Sequence, residues 1–154
     1  MVGELSRQAT AMSPTKACPV LTRLRSGQLE VLAFKHPRGG CQLVKGGIEP
    51  NETPSTAALR ELAEEAGIPN GRVVRDLGVW ETGFEEQVWA LYLVDPGQAL
   101  PDAWNHETSD GGGHTFAFFW QDLSLPPTID WHPLFASALG KIKEVLALDQ
   151  RTMT

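Results

Sequence analysis

The stretch Gly46-Gly47-Ile48-Glu49-Pro50-Asn51-Glu52-Thr53-Pro54-Ser55-Thr56-Ala57-Ala58-Leu59-Arg60-Glu61-Leu62-Ala63-Glu64-Glu65-Ala66-Gly67-Ile68 decides the fold. Its first part is made of turn formers. Thr53 is a good helix N-cap, and Pro54 suits the first helical position. The residues from Ser55 to Ala66 are strong helix formers, and Gly67 supplies a C-cap. At about 100° per residue, Ala58, Leu59, Leu62 and Ala66 share one face, which is expected to rest on a sheet. Glu61, Glu64 and Glu65 stand at i, i+3 and i+4 and share another.

Carboxylates at these spacings repel, each close pair costing a few tenths of a kcal/mol on an isolated helix. A helix built for stability alone would carry Lys or Arg there. A hard divalent cation instead favours clustered carboxylate oxygens. A bare E-x-x-E-E is more often a solvated helix face, so the loop before it carries weight. Gly46-Gly47 lets backbone approach a ligand closely and expose a carbonyl. Arg60 is placed to hold carboxylates by paired hydrogen bonds, with Glu52 as its expected partner.

The whole stretch resembles the Nudix box, G-x5-E-x7-R-E-U-x-E-E-x-G-U with U a bulky aliphatic, and every fixed position matches. Seven fixed residues at roughly 7% each make chance on the order of 10⁻⁸ per start point. The resemblance implies an α/β fold, a Nudix-type α/β/α sandwich with a mixed β-sheet between helices. It implies a hydrolase that cleaves a nucleoside diphosphate linked to another moiety, by water attack at phosphorus. Glu61, Glu64, Glu65 and the carbonyl near Gly46 (or Lys45 before it) would hold Mg²⁺, with Mn²⁺ as a substitute. Arg60 and Glu52 would hold that shell in place. It also allows a homodimer. Two other readings stay open: a hydrolase of a non-nucleotide diphosphate, and a catalytically silent nucleotide-binding module on the same fold.

Beyond the box the signals are weaker. Family members often carry a further carboxylate in a late loop as general base. Glu107 and Asp110 are the candidates here, Glu107 the first choice, with Glu61 or Glu64 serving instead as a strong rival. In some branches an acidic residue stands six positions before a strand-ending Trp; here His114 stands there, before Trp120. His106 and His114 read as ordinary polar loop residues. Lys45 is expected to meet a phosphate oxygen as a point charge, and Lys35, with His36 and Arg38, to form a second positive patch. Trp80, Phe84 and Trp104 are candidates for stacking on a base, against the commoner reading of packing.

Outward from the box, strands are expected at Lys16 to Leu24, Glu30 to Phe34 and Cys41 to Val44, with a hairpin turn at Ser26-Gly27-Gln28. Further strands are expected at Val73 to Trp80, Gln87 to Val94 and Thr115 to Trp120. Asp95 to Gly113 reads as one long polar loop. Phe135 to Leu148 reads as a closing amphipathic helix.

Length and composition set the frame. The 154 residues suit one domain, here 15–154 after a flexible tail of 1–14. The net charge of −6 does not invite DNA or anionic lipid, so no DNA partner is expected. A small nucleotide-type diphosphate is. Two cysteines, Cys18 and Cys41, are too few for a disulfide scaffold and read as idle thiols in a reducing compartment. No apolar run nears the ~20 residues of a membrane span, and no signal peptide is apparent, so the cytoplasm is the expected location.

Overall fold

Leu21 divides the first expected strand in two. Strand β1 (Lys16–Val20) enters one sheet, and β2 (Thr22–Arg25) enters another. Between them Leu21 is buried, and its carbonyl accepts the Leu32 N–H at 2.9 Å. The chain, seen here in a computed structural model, is described for residues 13–109 and 113–153, with side chains as far as Ala147. The expected tail thus lies almost wholly outside the described residues, as does Asp110.

Strands β3 (Gln28–His36), β4 (Gly40–Gln42) and β5 (Gly46–Gly47) follow, then helix α1 (Pro54–Ala66). Strands β6 (Arg72–Glu81), β7 (Val88–Asp95), β8 (Trp104–Thr108) and β9 (His114–Asp122) lead to helix α2 (Pro133–Met153). The β2–β3 turn has positive φ at both Ser26 (51°) and Gly27 (79°), the backbone that matches the twist of two paired strands.

One sheet is mixed, in the order β5-β1-β7-β6: β1 runs parallel to β7, and the other pairs are antiparallel. The second is antiparallel, β2-β3-β9-β8, with β4 also on β3. The alternation of β3 shows how the layers stack. Val31 and Ala33 pack with Phe135, Ala138 and Ile142 of α2. Leu32 and Phe34 pack with Leu62 and Ala66 of α1. The helices therefore cover opposite faces of the sheets, the α/β/α arrangement expected from the sequence.

Three local expectations change. The supposed loop 95–113 contains β8, which pairs with β9 from Trp104↔Phe118 to Thr108↔His114. The buried stripe of α1 is Ala57, Ala58, Glu61, Leu62 and Ala66, with Leu59 only half-buried. It is shifted by one residue because Ala57 and Ala58 close against Ala17 of β1. Helix α2 starts earlier than expected, at Pro133. Both cysteines are buried and neither is in a disulfide, and burial pushes the Cys18 thiol up to about 12. Among the described residues, no helix is long and apolar enough to cross a membrane.

Candidate active site

The glycine pair is fixed by the mixed sheet. Gly46 and Gly47 pair with Ala17 and Lys16 of β1. This brings the Gly46 backbone against the Glu61 side chain, so closely that a Cβ at Gly46 would overlap the carboxylate. Only glycine permits that approach. The helix bearing Glu61 starts where the sequence places it. The Thr53 hydroxyl accepts the Thr56 N–H at 3.2 Å, and Gly67 ends the helix in the left-handed region with φ 73°.

Arg60 ties the loop to the helix. Its Nε donates to Glu52 Oε2 at 2.8 Å, and its Nη2 to Glu52 Oε1 at 2.9 Å. Nη2 also donates to the Gly47 carbonyl at 2.8 Å, and Nη1 to Glu61 Oε1 at 2.8 Å. Glu64 lies 3.4 Å from Nη1, and Glu49 3.8 Å. The Arg60 guanidinium, helped by the Glu49 N–H, holds the Glu52 carboxyl down at about 2. Arg60 itself is raised, first by Glu52, against the opposing effect of burial.

Glu61 behaves differently. Burial raises its pKa, Arg60 opposes that rise, and the Glu64 charge adds to it. The neighbouring Glu65 side chain lowers that pKa. Among the described residues, no three His, Cys, Asp or Glu side chains are gathered closely enough to form a ready-made cage, since Arg60 takes the middle of the group. The donor set nonetheless fits a hard divalent cation. It offers carboxylate oxygens from one helical turn beside a glycine backbone, and a buried Glu61 whose ionised form a cation would favour.

The sequence-expected residues outside the box separate into two groups. Lys45 Nζ lies 5.6 Å from the ring centres of both Trp89 and Phe135. Burial and then the neighbouring Lys16 lower its pKa, while Glu65 and Glu61 oppose this. Trp80 meets Trp89 edge-on at 5.2 Å. Trp89 tilts against Phe135 at 5.4 Å, Phe135 touches His132, and His132 touches the exposed Phe84 at 6.4 Å. Lys45, Trp80 and Phe84 are thus linked through the buried rings of Trp89 and Phe135, and Lys45 alone is tied to the charges of Glu61 and Glu65.

Lys35 is exposed on β3 opposite Cys41, with no contact that joins it to the glutamates. Glu107 is not brought to them either. On β8, Trp104 and His106 turn toward α1, whereas Glu107 is exposed on the alternate face. Trp104 is a packing residue, stacked on Phe118 at 5.0 Å and 8°. The His114 ring meets His36 at 4.9 Å, tilted by 49°.

Sequence reasoning missed Lys16, which sits in register with Gly47 on one side and Trp89 on the other. Only strand pairing places it there. The one signal in the sequence was a lysine opening an otherwise apolar strand.

Known proteins resemble this chain in sequence and in fold. The family model described as NUDIX domain matches residues 15–133. The RNA pyrophosphohydrolase of Rickettsia rickettsii (strain Sheila Smith) is 39% identical over 64 residues, 42% of this chain and 34% of that protein. The RNA pyrophosphohydrolase of Rickettsia typhi (strain Wilmington) matches to the same extent. The matched stretch is about a third of the length of these curated relatives. Among solved structures, a C. elegans Ap4A hydrolase has a TM-score of 0.55 at 21% identity, covering 88% of this chain and 99% of its own. A MutT NUDIX hydrolase from Burkholderia pseudomallei has a TM-score of 0.54 at 23% identity, covering 85% and 99%. At such identities the likeness is one of fold.

Proposed function

This chain belongs to the Nudix family, and from that premise we propose that it is a phosphohydrolase acting on a nucleoside diphosphate linked to another moiety. The carrying observation is the set of three glutamates on α1, with Glu61 seated on Gly46 and held by Arg60. In this proposal Glu61, Glu64, Glu65 and the carbonyl near Gly46 hold Mg²⁺, or Mn²⁺ in its place. When bound, such an ion neutralises diphosphate oxygens and lowers the pKa of a coordinated water.

The remaining work falls to side chains already in place. Arg60 and Glu52 keep the Gly47 turn and the helix in one geometry. Lys45 and Lys16 meet the phosphate oxygens as point charges. The half-buried Trp80 and the exposed Phe84 offer apolar surface to the rest of the substrate. Glu64, the exposed member of the three, takes the proton of the attacking water, in preference to Glu107, which is exposed on the other face of β8.

A panel of nucleotide sugars, dinucleoside polyphosphates, nucleoside triphosphates, ADP-ribose and 5′-triphosphorylated RNA, with Mg²⁺ or Mn²⁺, tests this reading. The RNA is included because the matched relatives are RNA pyrophosphohydrolases. One or more should be cleaved at a phosphoanhydride bond. Glu64→Gln and Glu65→Gln should each lower turnover by about 100-fold or more. Unchanged turnover in both would remove the glutamates from the chemistry. Micromolar nucleotide binding without cleavage would favour the silent module.

A further inference from the structure

Helix α1 carries Glu64 and Glu65 in its last turn, at the negative end of the helix dipole, and has no basic residue there. That placement is unfavourable for the helix by itself. The last carbonyls of a helix also need partners from outside it. Gly67 N–H serves Ala63 at 3.1 Å, and Ile68 N–H reaches the Leu62 carbonyl at 3.5 Å. The carbonyls of Glu64 and Ala66 are served from another sheet. His106 Nε2 is 3.0 Å from the Glu64 carbonyl, and Trp104 Nε1 donates to the Ala66 carbonyl at 3.2 Å.

Both donors lie on one face of β8, two residues apart. The strand is held along β9. Trp104 is fixed by its stack on Phe118. The His106 ring rests on Gly67, where an added Cβ would come within 2.8 Å of Nδ1. Gly67 therefore serves twice, as the left-handed cap and as the space into which the ring fits.

Resting on the reading of Glu64 and Glu65 as cation ligands, we infer that His106 and Trp104 are positioning residues that clamp the last turn of α1 so that those carboxylates meet a divalent cation already aligned. The clamp acts through the backbone of Glu64 itself. It touches neither substrate nor ion.

The experiment measures Mn²⁺ binding to the full chain by electron paramagnetic resonance, without substrate, beside thermal melts. His106→Ala should weaken Mn²⁺ binding about tenfold, within the range for residues that orient ligands. His106→Gln restores a donor at the same reach and should recover binding to within about threefold. Trp104→Phe keeps the stack but loses the N–H, and should also weaken binding. In turnover, the metal midpoint should rise more than the substrate KM. A His106→Ala protein that melts lower but binds Mn²⁺ as wild type does would overturn the clamp and leave the glutamate assignment standing. A wild type that binds no Mn²⁺ would overturn both.

Discussion

The Arg60 guanidinium grips Glu52 with two parallel hydrogen bonds, Nε to Oε2 at 2.8 Å and Nη2 to Oε1 at 2.9 Å. Seven residues lie between the two, spanning the start of the helix. The same guanidinium reaches the Gly47 carbonyl and Glu61. One side chain therefore sets the distance between the glycine bend and the helix. A lysine has one ammonium and no fork.

Arg60→Lys should keep the charge and lose the geometry. The expected result is a fall in kcat of about 10- to 100-fold with a smaller change in substrate KM. Steady-state kinetics at saturating metal decide this. Wild-type kcat in the variant would show that the fork is not needed.

The Glu52 carboxyl is held at about 2, below its ordinary value. Its contribution to stability is complete above about pH 4.5 and is lost as pH falls through 2. Glu52→Gln should therefore be less stable at neutral pH and lose less on acidification across that window. Urea midpoints between pH 5 and pH 2, for both proteins, check the sign. Parallel curves would mean that Glu52 titrates alike in the folded and unfolded chains.

Gly46→Ala places a methyl on the Glu61 carboxylate, whereas at Gly47 the nearest atom to an added Cβ is Lys16 Nζ at 3.9 Å. Gly46→Ala should lower turnover by about 100-fold, and Gly47→Ala only a few-fold. Equal effects of the two would show that the close approach of Gly46 to Glu61 has no chemical role.

His36 accepts the backbone N–H groups of Arg38 and Gly39 at Nδ1, at 2.9 and 3.0 Å. Burial, then His114 and Arg38, lower its pKa. The folded state thus favours the neutral ring, and stability should drop as pH falls from the unfolded value of about 6.5 toward the lower folded one. His36→Asn keeps an acceptor without titrating and should flatten that drop. Denaturant midpoints between pH 7.5 and pH 5 measure it. An unchanged slope would assign the acid sensitivity elsewhere.

Lys45→Met and Lys16→Met should each raise substrate KM about tenfold, roughly 1.4 kcal/mol of binding, with kcat less affected. Wild type should also lose affinity as salt rises, and the double variant should lose less. If both single variants keep wild-type KM, the phosphates bind elsewhere.

Much of the site was legible because its parts are local. Thr53, Pro54 and Gly67 mark the ends of α1 by turn and cap chemistry that acts within a few residues. Glu52 and Arg60 meet across the first two turns of α1, and the three glutamates share a face by helical period alone. The Lys16–Leu24 strand was legible as extended but not as two strands, because nothing within it says that Leu21 hands the chain to a second sheet. Strand β8 was hidden in a polar segment, since its register is supplied by β9.

By itself the sequence determined the helix, its caps, its carboxylate face and the glycine bend, all interactions within about one or two turns of chain. Tertiary structure alone decided that Gly46 would close on Glu61, that Lys16 would stand beside Gly47 and Trp89, and that β8 would turn His106 inward and Glu107 outward. The physical reason is the twofold period of a strand: slipping its register by one residue exchanges its faces, and only the partner strand fixes that register.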